Sequence, residues 1–234
     1  MSNHLTATTL WQMSRVGQPV PLPDGSAAVV AVTTYDLETN RATSQLHRVD
    51  SDGTATAITT SDATHPAINP AGDTVSFVRA LDDDGPKQLH VMPLGGGEAR
   101  ALTDLPLGVA ESKWLPDGSG LIAVVPLLRG FLTPYETAAE LAARQDRKLS
   151  AIVTEERVYR FWRRWLASGQ VHHLFHIDAA TGAATDLTPG LDRLLSSEAD
   201  PVGTFDISPD GSHIAITLEV ALEGRPYLQF AIHT

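Results

Sequence analysis

Leu22-Pro23-Asp24-Gly25, Asn69-Pro70-Ala71-Gly72, Leu115-Pro116-Asp117-Gly118 and Ser208-Pro209-Asp210-Gly211 are four versions of one phrase. Proline presets φ and glycine accepts positive φ, so each reads as a tight turn. After each glycine, apolar residues alternate with others: Ala28 and Val30, Val75 and Phe77, Leu121 and Ala123, Ile214 and Ile216. That period of two marks a β-strand. A third strand is expected at Gln45-Leu46-His47, Gln88-Leu89-His90, His173-Leu174-Phe175 and Tyr227-Leu228-Gln229. A second phrase closes the unit: Gly53-x-Ala55-x-x-Ile58-Thr59, Gly97-x-Ala99-x-x-Leu102-Thr103 and Gly182-x-Ala184-x-x-Leu187-Thr188.

Pro23, Pro70 and Pro116 stand 47 and 46 residues apart. A period of about 40–50 residues made of short strands predicts a β-propeller, one four-stranded blade per repeat. The expected fold class is all-β: a partial propeller of about four blades, at 20–60, 65–104, 111–189 and 203–234. The fourth is incomplete, because a fourth copy of the closing phrase would fall beyond Thr234. Residues 1–19 read as a lead-in, with a short helix over 8–18 that stops at a glycine.

Blade three is overlong. Pro116 to Gly182 is 66 residues, against 30 and 27 for the corresponding intervals in the first two units. The surplus, at 129–170, opens with Thr133-Pro134-Tyr135-Glu136, the spacing of a capping box with proline at the first helical position. An alanine-rich run with basic residues at its end follows, which predicts a helix over 134–148. Insertions of this size in regular repeats tend to lie on one face and to carry function.

Composition sets limits. The chain has 234 residues, 42% of them apolar, and a formal charge of −11. An acidic surplus opposes nucleic-acid binding, since there are no excess cations to displace counterions from phosphates. No apolar run approaches the ~20 residues of a membrane span. The N-terminus has no basic and apolar leader, and the absence of cysteine excludes disulfides and fits a cytoplasmic protein.

The Pro-Asp-Gly blades, with Val158-Tyr159-Arg160-Phe161-Trp162-Arg163-Arg164-Trp165 leading to His173-Leu174-Phe175-His176, resemble the N-terminal propeller of prolyl-oligopeptidase-family serine peptidases. The acylaminoacyl-peptidase and dipeptidyl-peptidase-like branch is the most similar. The resemblance implies a propeller that gates peptides toward a C-terminal α/β-hydrolase domain absent from this chain. It also implies a peptide substrate, the remaining blades as partners, and a tendency of open blade edges to associate. The Ser-Asp-His residues of that family have no counterpart here, and no serine lies in a Gly-x-Ser-x-Gly. No catalytic residue, cofactor or metal ligand is expected in the chain. The alternative function is a freestanding propeller that acts as a protein-interaction scaffold.

Glu155 and Glu156 resemble the glutamate pair with which dipeptidyl peptidases of this family hold a substrate ammonium; paired glutamates near a helix start are also ordinary solvated residues, favoured there by the helix dipole. Arg160, Arg163 and Arg164 suit a peptide carboxylate, or else stack on Trp162 and Trp165 and pair with acids. Where the family tends to carry an acid between the tryptophans, this chain has Arg163-Arg164. His47 and His90 occupy matching repeat positions, and His172, His173 and His176 lack the carboxylate or cysteine spacing of a metal centre. Asp82-Asp83-Asp84-Gly85 reads as a solvated hairpin turn. Trp11, Trp114, Trp162 and Trp165 are expected in blade packing.

Overall fold

The computed structural model describes residues 5–60, 62–80, 82, 85–147, 151, 160–161, 164–165, 169–193, 204–220 and 230–234. After a short helix α1 (Ala7–Gln12), the first sheet contains β1 (Arg15–Val16), β2 (Val20–Pro21), β3 (Ala27–Asp36), β4 (Arg41–Asp50) and β5 (Ala55–Ala57). The second is β6 (Thr64–Ile68), β7 (Thr74–Ala80), β8 (Lys87–Pro93) and β9 (Arg100–Ala101). In the third, β10 (Glu111–Trp114) and β11 (Gly120–Leu128) are followed by α2 (Pro134–Asp146) and a hairpin of β12 (Arg160–Phe161) and β13 (Arg164–Trp165). That sheet then continues with β14 (Gln170–Asp178) and β15 (Ala184–Asp186). The fourth holds β16 (Phe205–Ile207), β17 (Ile214–Glu219) and β18 (Phe230–His233). All strand pairs are antiparallel; the second, third and fourth sheets follow chain order as meanders do, and in the first β1 and β2 both pair with β3.

The proline–glycine phrase joins β2 to β3 in the first sheet and the first two strands in each of the other three. The glycine N–H donates to the carbonyl three residues earlier, at 2.9, 2.9, 2.9 and 2.8 Å for Gly25, Gly72, Gly118 and Gly211. Asp24, Asp117 and Asp210 each accept from the N–H and hydroxyl of the serine two residues on. For Asp24 and Asp117 these bonds favour the ionised carboxyl; for Asp210 the Ser208 hydroxyl, donating at 2.6 Å, does so first, with Ser212 beside it, and all three aspartates are held below their usual range.

The closing phrase works equally locally. Ile58, Leu102 and Leu187 donate their N–H to the carbonyls of Leu46, Leu89 and Leu174 at 2.8, 2.7 and 2.8 Å. The next threonine hydroxyl accepts the N–H of that same leucine, at 2.9 Å for Thr59, 3.0 Å for Thr103 and 3.1 Å for Thr188. Thr103 and Leu89 are buried, so losing the hydroxyl would leave a dry N–H without a partner, at a cost of about 1–3 kcal/mol.

The sheets pack face to face in chain order. Val29, Leu46, Phe77 and Met92 join the first to the second. Leu89, Leu102, Leu121, Val125 and Phe175 join the second to the third. Ile122, Val124, Leu174, Phe205 and Leu218 join the third to the fourth. Flanked on both sides, β11 is buried along all nine residues. Its even and odd positions feed two different seams, so a strand between layers reads as a continuous apolar run. The turns stack in the same order. A Cβ placed on Gly72 would meet Pro23 at 3.2 Å, one on Gly118 would meet Pro70 at 3.7 Å, and one on Gly211 would meet Pro116 at 3.4 Å.

Helix α1 ends at Gln12 and does not continue to Gly17 as expected. Arg15 and Val16 instead take up strand pairing with Thr33 and Val32, and the Gly17 N–H donates to Ala31 at 2.8 Å. The free edge of β3 outcompetes a helix whose only cap is the Thr6–Thr9 pair. Trp11 is exposed, in an edge-on contact with Tyr35 at 5.6 Å, rather than packed between sheets. Trp114 does bridge sheets, its indole N–H donating to Ala67 at 3.3 Å. In α2, Thr133 caps the N–H of Glu136 at 3.1 Å with Pro134 in the first turn, as its sequence predicts. Among the described residues no helix is long and apolar enough to cross a membrane.

Candidate functional site

The first strand of each sheet is an edge strand, and two neighbouring ones bulge. Val16 faces Val32 while Val20 faces Val29, so four steps on one chain answer three on the other. Thr64 faces Val78 while Ala67 faces Ser76, three steps against two. Val20, Ala67, Lys113 and Asp206 each pair with the residue four after their turn glycine, which places the two bulges at one height. The extra residue in the second sheet puts His65 in the left-handed region at φ 53°. Bulges bend a strand away from its neighbours and are common beside binding sites.

The room they create is a cleft of about 780 Å³ along these edge strands. Arg15, Gly17, Thr33, His65, Glu111 and Ser112 are among its lining residues. That volume suits a small ligand or a few residues of an extended peptide, within the ~300–1,000 Å³ of ordinary ligand pockets.

Side chains of β10 alternate across the strand. Trp114 reaches Ala67 of the second sheet, so Ser112 projects to the same side, toward the bulged segment. Lys113 reaches the other way, to the Phe205 carbonyl at 2.7 Å and the Asp206 carboxylate at 3.0 Å, with its ammonium 5.0 Å from the Phe205 ring centre. The ammonium holds Asp206 below the usual aspartate range. Glu111 projects to that side too. Ser112 is 6% exposed and its Oγ has no hydrogen-bond partner among the described residues. Arg15 is exposed at the rim and makes no hydrogen bond or ion pair among the described residues.

Buried histidines lie elsewhere. His173 is fully buried, with Nδ1 2.8 Å from Asp186 and Nε2 2.9 Å from the Leu191 carbonyl. His90 stacks on Phe77 at 5.7 Å, and burial pushes its imidazole down from the ordinary 6.5. His47 and His90 face Val30 and Phe77, equivalent rungs of their sheets, so they belong to the repeat.

Of the sequence-predicted site residues, Glu155, Glu156 and Arg163 lie outside the described residues, as does Trp162. Arg160 and Arg164 fall in the β12–β13 hairpin, where Arg160 faces Trp165 and Phe161 faces Arg164. Arg15 and Ser112 escaped the sequence reading. Arg15 lay inside an expected helix, and nothing about a serine between Glu111 and Lys113 signals burial.

No protein-family model matches the chain. It is similar to the uncharacterized peptidase YuxL of Bacillus subtilis, 26% identical over 220 residues, which are 93% of this chain and 31% of that protein. It is 27% identical to dipeptidyl-peptidase 5 of Porphyromonas endodontalis over 100% of this chain and 33% of the relative. The acylaminoacyl peptidase of Pyrococcus horikoshii superimposes with a TM-score of 0.66 at 16% identity, over 96% of this chain and 31% of that one. The β-propeller domain of the trilobed protease from Pyrococcus furiosus gives a TM-score of 0.53 at 12% identity, over 94% and 54%. The chain spans about a third of the length of the curated relatives it matches. Those relatives are peptidases, and the fold that the matched structures share with this chain is that of a β-propeller.

Proposed function

We propose that this chain is the N-terminal propeller portion of a serine peptidase, which gates peptides on their way to an α/β-hydrolase domain encoded outside it. In this reading the four sheets are consecutive blades at 20–60, 65–104, 111–189 and 203–234, and 129–170 is an insertion in the third. The observation that carries it is coverage: peptidase relatives match this chain almost from end to end while it spans about a third of them. The axial cleft fits a gating role, since inner edges with polar walls can admit an extended chain and exclude a folded one. Glu155, Glu156, Arg160, Arg163 and Arg164 are proposed substrate contacts in the insertion.

The test is to express the chain together with the sequence that follows it in the gene. Short aminoacyl and dipeptidyl p-nitroanilides should be cleaved, globular proteins spared, and residues 1–234 alone inert. Digestion of a globular protein as fast as a pentapeptide would refute gating. A stop codon directly after Thr234 would favour the scaffold reading instead. The exposed apolar side chains of Leu5, Leu10, Trp11, Met13 and Val16 are the observation on that side.

A further inference from the structure

We propose that the axial cleft is a carboxylate-binding subsite in which Arg15 is the charged ligand and Ser112 the neutral donor. Charge argues for an anion. The chain as a whole carries −11, yet the permanent charges lining the cleft are Arg15 and Lys113 against Glu111. Lys113 and Glu111 project to the same side of β10, away from Ser112 and toward the fourth sheet, where the Lys113 ammonium is paired with Asp206 at 3.0 Å. Arg15 is the cation of the lining that makes no ion pair among the described residues. Its guanidinium has five donors in a planar fork that matches two carboxylate oxygens, and no described residue occupies them.

Placement supports the same ligand. Arg15 is fixed by strand pairing opposite Thr33 in the first sheet, and the His65 bulge that lines the same cleft lies in the second. On the facing wall, Ser112 is buried and aimed at the bulged segment with an unpartnered hydroxyl. A buried hydroxyl without a partner is the kind of group a bound oxygen can satisfy. A peptide carboxylate is the occupant that the reading above implies, at its C-terminus or on an acidic side chain; the chemistry of the subsite does not depend on that reading.

The probes are N-acetyl-trialanine as free acid and as amide, titrated calorimetrically into residues 1–234. The acid should bind at least tenfold more tightly than the amide. Arg15→Gln should abolish that preference, and Arg15→Lys should restore only part of it, because an ammonium lacks the fork. Ser112→Ala should weaken acid binding severalfold without lowering the melting temperature, since the hydroxyl has no bond to lose in the free chain. N-acetyl-Ala-Asp-Ala-amide distinguishes the sources: affinity equal to the acid assigns a side-chain carboxylate, and weaker binding assigns the C-terminus. Equal affinity for acid and amide, no binding of either, or an unaltered preference in Arg15→Gln overturns the subsite. If the acid binds while the extended protein cleaves nothing, the subsite stands and the peptidase reading falls.

Discussion

His90 shows how one residue position acquires a different character in each sheet. It shares its place in the repeat with His47 and Phe175, opposite Phe77, Val30 and Ala123 respectively. Between the second sheet and its neighbours it is 1% exposed, and its Nε2 has no partner among the described residues. Burial opposes the imidazolium, with the nearby Arg79 acting in the same direction, so the native state resists protonation that the unfolded chain accepts. The contribution is complete above pH 6.5 and is lost as pH falls below it, at most about 1.4 kcal/mol per pH unit. We expect His90→Phe, which copies Phe175, to flatten the fall in urea-unfolding free energy between pH 7.5 and 5.5. An unchanged slope would mean that His90 already takes up a proton in the folded chain. Residue-scale features with local partners were legible in the sequence, among them the turn aspartates and the closing threonines. The partner of each lies within about 15 residues along the chain, in contacts that recur from sheet to sheet.

At the scale of elements, the turn is the unit that repeats and also the unit that touches its neighbour. Gly25 and Gly72 both adopt positive φ, at 70° and 75°. An alanine at either costs about 1–2 kcal/mol of backbone strain. A Cβ at Gly25 meets nothing within 4 Å, whereas one at Gly72 presses on Pro23 of the preceding sheet at 3.2 Å. Gly72→Ala should therefore lower the melting temperature further than Gly25→Ala, and the difference reads the turn-to-turn stacking directly. Helix α2 was visible beforehand because Thr133, Pro134 and Glu136 form its start within four residues. The end of α1 was not, because β3 offers Arg15 and Val16 a pairing partner that lies 16–18 residues away in sequence.

Across the whole molecule, the four main sheets pack in three consecutive seams, as in a repeat array where stability is a sum over neighbours. Phe175 sits at 2% exposure in the seam between second and third sheets. Phe175→Ala should cost about 3–5 kcal/mol in urea unfolding. Amide protection should fall first in β8 and β11, the strands that meet at this seam. Protection lost evenly over all four sheets would show that the array unfolds as one cooperative block instead.

The sequence by itself determined the turns, the spacing at which they recur, the antiparallel strands that follow them in the described sheets and the capped start of α2. Each of these is set by hydrogen bonds and periodicity that operate within a few dozen residues. It could not determine the axial cleft. The cleft exists because two bulges on separate sheets fall at one height beside the edge strand of a third sheet, bringing Arg15, His65 and Ser112 to one space. Only packing of sheets against sheets sets that coincidence, since residues nearly 50 positions apart along the chain share no local signal.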